Sequence, residues 1–600
     1  MRKCSEQLSF IERLGYNESS KGRNLMFGLL KYAKNYRKQI ILGPVFKFLE
    51  ACFELVLPLF MAHLVDVGIR QNDRQTVIEM ALWMLVMSLV GLFFVMICQY
   101  YASVASQGFG TELRNQLMKK INQLSHKELN SFGTDTLITR ITNDINQLQL
   151  ALAMFIRLVI RTPFLSIGSV VMAFYIDVQM GFLFLLLLPI FSLILFIIIK
   201  VTVPLYQKVQ EYLDRLNRQI SQNLSGVRVI RAFARKETEQ RHVDKASDDL
   251  GDIYIRVSNV SALLTPLTTL IMNVGILFLL YFSGLKVSFG SLQQGEVLAL
   301  INYMNQMMLA LIVASNLVVI FTRAAASANR VNEVLTVESQ LTDTPESAKT
   351  SPQFGDITFD HVDFRYEPEA GLALENINFT IPKGSILGIT GPTGSGKSTL
   401  TQLIPRFYDV SAGNLFINGI NVRDWPLFTL RQQVASVPQT AILFTGTIRE
   451  NLQWGKPNAT DEDCWEALAI AQCKEFVEQL DQGLDTPVNE GGKNFSGGQR
   501  QRLTIARALI RKPHLLILDD SLSALDYQTD LNLRRALQKE RAETTVILIS
   551  QRVSSIATAN QILVLDSGKV AGLGTHEELL TSSKEYQEIV ASQEEDTHAN

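Results

Sequence analysis

The residues best equipped for chemistry stand at 391–399, GPTGSGKST, where Gly391, Gly396, Lys397 and Ser398 fit the pattern G-x-x-x-x-G-K-[ST]. Small residues at Thr393, Gly394 and Ser395 leave backbone N–H groups free to surround a polyphosphate, and the positive end of a following helix reinforces them. Lys397 offers a point charge. Ser398, next to Thr399 in the same turn, offers a hydroxyl ligand for magnesium. A second candidate is Asp519, the carboxylate that ends the apolar run 515–519, LLILD, and that could order magnesium beside the phosphates.

A phosphate cradle needs a strand before it and a helix after it. Residues 385–390, SILGIT, form a short apolar run suited to a buried strand, and 400–407 continue with helical spacing. Downstream, runs at 357–364, 515–518 and 545–549 alternate with helical segments, the pattern of an α/β nucleotide-binding domain.

The first half of the chain has a different solvent. The 600 residues exceed one domain, 47% are hydrophobic and only 19% charged, and the mean hydropathy is +0.14, so part of the chain belongs in lipid. Six apolar segments reach the roughly 20 residues needed to cross about 30 Å of hydrocarbon: 40–65, 76–102, 150–176, 180–202, 262–282 and 297–321. Residues 25–38 mix apolar residues with Lys31, Lys34, Arg37 and Lys38, as an amphipathic elbow or a basic flank of the first span would. No cleavable signal peptide is read in the polar first 24 residues. The connections 103–149 and 203–261 are rich in Lys and Arg, whereas the opposite-side connections hold only Arg70, Arg74 and Lys286. The positive-inside rule therefore predicts a multi-pass protein of the cell membrane with both termini, the two long connections and the nucleotide-binding half in the cytoplasm.

Polar residues within the spans mark a candidate path. Glu50 and Glu54 lie one turn apart with Lys47 nearby, and Arg157 and Arg161 repeat that spacing in the third span. They fit an aqueous cavity, an ion-paired latch or a static inter-helix pair. Asn273, Asn302, Asn305 and Gln306 suit helix-packing hydrogen bonds. Composition turns polar at 338–352, a linker. The five cysteines are dispersed without metal-ligand spacing, and a net charge of −2 gives no reason to expect a nucleic-acid partner. The expected order is a cytoplasmic tail (1–24), a transmembrane domain (25–325), a linker (326–352), a nucleotide-binding domain (353–590) and a tail (591–600).

Residues 495–499 read FSGGQ, followed by Arg500, Gln501 and Arg502, and this resembles the signature of ABC transporters. The resemblance extends from about residue 25 to 590. It implies that Tyr366 stacks on adenine, that Gln439 in SVPQ contacts magnesium and the γ-phosphate, and that 523–526, SALD, form the loop that follows the magnesium carboxylate. Six spans before one ATPase domain resemble a half-transporter of the exporter type. By this resemblance two chains pair and each ATP–Mg2+ lies between one chain's phosphate loop and the other's signature, here Ser496, Gly497, Gly498 and Gln499. Two short coupling helices, near 127–132 and 217–225, are expected to meet the ATPase domains, the second that of the partner.

Two positions depart from the family. Asp520 stands where the family has the glutamate that polarises the attacking water, and Gln551 where it has the switch histidine. Loss of one methylene draws the carboxylate back by about 1.5 Å, and a misplacement of about 1 Å can cost on the order of 100-fold in rate. Gln551 can donate a hydrogen bond but cannot titrate. The expectation is a site that binds ATP and hydrolyses it slowly. It resembles the degenerate-site subunit of heterodimeric bacterial multidrug exporters, whose substrates are small hydrophobic or amphiphilic compounds. The alternatives are a homodimeric exporter of drugs, lipids or peptides and an ATP-gated regulatory subunit.

Overall fold

The computed structural model describes residues 28–339, 341, 353–540 and 543–598, so the tail 1–24, the start of the elbow and most of the 338–352 stretch lie outside the described residues. The chain divides into two units, Met1–Asn122 with Gly133–Val337 and Gln123–Phe132 with Glu338–Asn600.

The first unit is helical. Five stretches, Arg74–Ile121, Thr134–Ile176, Val178–Ser225, Lys236–Ser288 and Gln294–Thr336, are long and apolar enough to cross a membrane, and they contain the predicted second to sixth spans. Their 43 to 53 residues far exceed a bilayer's thickness. Large apolar side chains such as Leu82, Leu89, Phe93 and Met96 face outward along Arg74–Ile121, as lipid contact requires. The predicted first span becomes a 27-residue helix, Arg37–His63, running into a π-helical turn, Leu64–Ile69. It is long enough to cross, but Lys47, Glu50 and Glu54 deny it the apolar composition of the other five. Six crossings were expected; five meet the length and composition of a span.

Interior packing is dense where helix Gln294–Thr336 passes. Tyr303, Met304 and Met307 are fully buried beside Phe184 and Met180, and the Tyr303 hydroxyl donates to the Leu55 carbonyl at 2.6 Å. Further π-helical turns interrupt the helices at Arg140–Asp144 and Phe155–Val159. Several boundaries need correction. The linker predicted from 326 begins instead beyond Thr336, because Ala328, Val331 and Val334 are buried and keep the helix running. Residues 217–225 are the end of the long helix Val178–Ser225; Gly226 closes it, and the short helix is Val227–Ala232. Residues 591–598 are not a free tail but part of helix Lys584–His598.

The second unit is built on two main sheets. Strands Ile357–Phe364, Leu374–Ile381, Ala412–Ile417 and Ile420–Asn421 make an antiparallel sheet. Phe359 and Phe379 stack across it at 4.9 Å. The larger sheet has the order 569–574, 561–566, 386–390, 545–549, 515–519, 434–437, parallel throughout except for its first pair. Its central strands are continuous apolar runs because both faces are covered. The helix read at 400–407 instead spans Lys397–Leu403, so its first turn belongs to the phosphate motif itself. Helix His126–Phe132, predicted from 127, packs within this unit. Its His126 ring lies 4.2 Å from that of Phe407, and Asn130 donates to the Tyr408 hydroxyl at 3.1 Å.

Candidate nucleotide site

The parallel sheet collects the predicted residues at the carboxyl ends of its strands. Strand Ile386–Thr390 runs into Gly391, strand Leu515–Asp519 ends in Asp519, and strand Thr545–Ile549, which lies between them, leads to Gln551. Strand Val434–Val437 leads to Gln439 from the far side. A crevice outside the ends of parallel strands is where α/β sheets bind ligands.

That crevice is a cleft of about 550 Å³ lined by Tyr366, Thr393, Gly394, Gly396, Lys397, Ser398, Thr399, Gln439, Asp519, Asp520 and Gln551. Two predicted residues play supporting parts. Gly391 lies beneath, at φ +143°, where a Cβ would stand 2.0 Å from the Leu565 carbonyl oxygen, so only glycine fits. Ser395 is buried, and its N–H donates to Pro392 at 3.2 Å. Gly396, at φ +96°, starts the helix with no side-chain cap, which leaves the first helical N–H groups available to an anion.

Lys397 Nζ folds back to the carbonyls of Gly391 and Pro392 at 2.8 and 2.7 Å. The Ser398 hydroxyl donates to Asp519 at 3.0 Å, and Gln439 Nε2 donates to Asp520 at 3.1 Å. These four side chains converge from three segments. Burial pushes the Asp519 carboxyl above its ordinary range, Asp520 adds to this, and the Ser398 hydroxyl and Lys397 oppose it. Burial likewise lowers Lys397, while Asp519 and Asp520 pull it back up. Ser398, Asp519 and Gln439 present hard oxygen atoms, the donors magnesium takes with phosphate and water. Among the described residues no three His, Cys, Asp or Glu side chains are placed to hold a metal ion between them. The donor set fits magnesium held jointly with a polyphosphate.

Tyr366 is fixed edge-on against Phe364 and Tyr408, with ring centroids 4.9 and 5.3 Å away, and its hydroxyl bonds Thr399 at 2.8 Å. Asp520 adopts φ +45°, the left-handed region that Asp tolerates better than longer side chains. The sequence reading missed several supports. Arg552 donates to the carbonyls of Ser523 and Leu525, and Gln593 clasps the turn after Gln551, donating to its carbonyl at 2.6 Å and accepting from Val553 N–H. Leu372, Ala373, Ser567 and Gly568 complete the cleft wall. None belongs to a spaced motif, and Gln593 comes from the C-terminal helix Lys584–His598.

Ser496, Gly497, Gly498 and Gln499 do not line this cleft. Ser496 instead caps the exposed start of helix Gly497–Leu509, accepting from Gln499 N–H at 3.3 Å while Gln499 accepts from Ser496 N–H at 2.9 Å. Ser496 and Gly497 are exposed, and Gly498 and Gln499 are half-buried.

Comparison with known proteins settles the family. Residues 40–311 match the ABC transporter transmembrane region and residues 374–523 the ABC transporter ATPase family. An uncharacterised ABC transporter ATP-binding protein of Bacillus subtilis, YfiB, is 37% identical over 94% of this chain and 98% of its own. The chain is an ABC transporter. The probable multidrug resistance ABC transporter ATP-binding/permease protein YheI of B. subtilis is 32% identical over 83% of this transporter and 87% of its own length. The structure of a bacterial Atm1-family ABC exporter with ATP bound covers 93% of this transporter and 99% of that chain, with a TM-score of 0.79 at 24% identity. This transporter is thus a half-transporter, a multi-pass helical membrane region followed by one ATPase domain.

Proposed function

We propose that this half-transporter is one subunit of a heterodimeric ATP-driven exporter of hydrophobic or amphiphilic compounds, crossing the cell membrane six times with its ATPase domain in the cytoplasm. Its own cleft binds ATP–Mg2+ and turns it over slowly, and its signature completes the partner's active site. One observation carries this reading. Asp520 and Gln551, the two departures from the family pattern, line one cleft with Lys397, Ser398, Gln439 and Asp519, whereas the signature residues lie outside it. Chemistry is weakened on one side only.

Tyr366 would hold adenine, Lys397 and residues 393–399 the phosphates, and Ser398, Gln439 and Asp519 the magnesium, which screens phosphate charge when bound. Asp520 would hold the attacking water, with its carboxylate drawn back by the missing methylene. The Arg37–His63 helix would be the first of the six spans, with Glu50 paired to Lys47 and Glu54 to Arg161. Exposed Leu224, at the end of helix Val178–Ser225, with Val229 and Phe233 in and just after the short helix Val227–Ala232, would dock on the partner. The multidrug wording of a relative supports the substrate class.

A second reading, a homodimeric exporter, draws on the backbone of Asp520. A left-handed conformation favours Asp over Glu whatever the reaction requires. Steady-state ATPase activity of the chain alone in lipid, against the chain co-expressed with a candidate partner half-transporter, separates the two. Negligible activity alone with robust activity together supports the heterodimer; full activity alone overturns it.

A further inference from the structure

The helical unit contains a charged cluster that does not balance. Lys47 Nζ lies 2.8 Å from Glu50, and Arg161 holds both oxygens of Glu54 at 2.9 and 2.7 Å and stands 3.8 Å from Glu50. The Gln306 amide donates to the backbone carbonyl of Glu54 at 3.2 Å. The remaining cation is Arg157, one turn before Arg161 on the same helical stretch. Its Nη2 donates to the Ser103 hydroxyl at 3.0 Å, its buried Nε has no hydrogen-bond partner, and no carboxylate lies within ion-pair distance among the described residues. Three cations thus face two carboxylates, all within predicted spans, where an unmatched charge is costly and usually functional.

Backbone geometry singles out the same residue. Arg157 belongs to the π-helical turn Phe155–Val159, a local distortion that is rare and frequent at functional sites. Of the other two π-helical turns, Arg140–Asp144 has its charges paired, and Leu64–Ile69 has its one buried carboxylate hydrogen-bonded to backbone. Arg140 pairs with Glu333 at 2.8 Å, Asp144 accepts from Arg330 Nε at 2.8 Å, and Asp66 accepts from Gly295 N–H at 2.7 Å. Exposure also has a direction: the side chains of Lys47 and Glu50 are nearly enclosed, whereas Arg161 and Glu54 retain 24% and 30% and Arg157 is half-buried. The cluster opens on the arginine side.

We propose that Arg157, seconded by Arg161, is an intramembrane subsite for the anionic group, a carboxylate or phosphate, of an amphiphile. This rests on the export reading and narrows its substrate class: an apolar body with a single negative head, taken from the cytoplasmic half of the bilayer. The guanidinium offers a planar pair of donors that matches such a head, which a lysine would not.

The test uses the full-length chain with its co-purified partner in phosphatidylcholine nanodiscs, titrated with 11-(dansylamino)undecanoic acid and with its methyl ester. The acid is expected to bind about 10-fold more tightly than the ester, the worth of one charge-assisted hydrogen bond. Arg157→Gln should bring the two affinities together and Arg157→Lys should retain part of the difference. Glu54→Gln frees Arg161, so it should widen the preference for the acid. A merely structural role would instead weaken both probes, which keeps the test decisive if Arg157→Gln folds poorly. Nanodiscs doped with phosphatidic acid identify the source: competition with the acid points to a lipid headgroup, and its absence to a free amphiphile. Equal binding of acid and ester, or an unchanged ratio in Arg157→Gln, overturns the subsite. Binding needs neither hydrolysis nor transport, so a preserved preference in nanodiscs with no ATP-dependent transport of either probe by the same pair in sealed proteoliposomes overturns the export reading alone.

Discussion

Two helices of the ATPase domain begin in motifs that the family uses for nucleotide, and they begin differently. Helix Lys397–Leu403 starts at Gly396 in a left-handed conformation with no side chain over its first N–H groups. Helix Gly497–Leu509 starts with Ser496 and Gln499 satisfying one another's backbone. The first is an open anion cradle whose lysine rests on its own carbonyls until something more negative replaces them. The second is already satisfied by its own side chains, with Ser496 and Gly497 exposed. The phosphate-loop side leaves donors open to a ligand, and in the proposed pair the signature side would complete the partner's site. The two departures, Asp520 and Gln551, both fall on the first side.

Breaking each side should have different consequences. Ser496→Ala should lower the ATPase rate of the assembled pair by on the order of 100-fold, the scale of one lost transition-state donor, measured as steady-state phosphate release. Ser496→Asp, which preserves the cap, should not restore the rate; recovery would mean that capping alone matters. The Ala variant should also cost about 1 kcal/mol of ATPase-domain stability from the lost cap.

Lys397→Ala should reduce nucleotide binding by this chain by about 100-fold or more, the loss of a charge-assisted contact in a cleft. The pair's ATPase should fall by much less than with the equivalent change in the partner. Equal losses would erase the asymmetry. Asp520→Glu with Gln551→His should raise hydrolysis in this cleft by about 10-fold or more, read in single-turnover experiments on the pair with the partner's own site disabled. An unchanged rate would place the slow step elsewhere.

A smaller effect concerns pH. Because burial raises the carboxyl of Asp519, it protonates at a higher pH than an ordinary aspartate, near 3.8. Magnesium-dependent nucleotide binding should therefore begin to weaken above that value as pH falls. The sign for stability is opposite: the folded state holds this proton longer than the unfolded one, so Asp519 disfavours folding more as pH rises through its raised value. Asp519→Asn should flatten both trends in parallel titrations of binding and melting temperature. Smallest of all, Thr399→Val removes the hydroxyl that orients Tyr366, and nucleotide affinity should fall by about 3- to 5-fold, one modest hydrogen bond.

The phosphate cradle, the Asp519 strand and most of the long helices were legible in the sequence because each depends on local period and spacing. Glycines at 391 and 396 declare positive φ, and an apolar run ending in Asp declares a buried strand with a polar tip. The boundary at Thr336 was not legible, because small residues such as Ala324 and Ala328 read as weakly apolar until a packed neighbour makes them core. Nor was the conformation of Asp520. Its side chain had been judged for reach alone, and its backbone supplies a reason for Asp that chemistry does not.

By itself, the sequence determined which side chains could touch phosphate and magnesium and which stretches could enter lipid, since both follow from residue type at fixed spacing. Only the tertiary structure decided which of those residues share a cleft. Parallel pairing put the strand between Gly391 and Asp519 in register with both, so that Gln551 joins them, while a separate helix carried Ser496 outward. It also decided that Glu54 pairs with Arg161 and that Arg157 has no carboxylate within ion-pair distance among the described residues. Pairing of charges depends on which helices lie side by side, and no spacing within one helix encodes that.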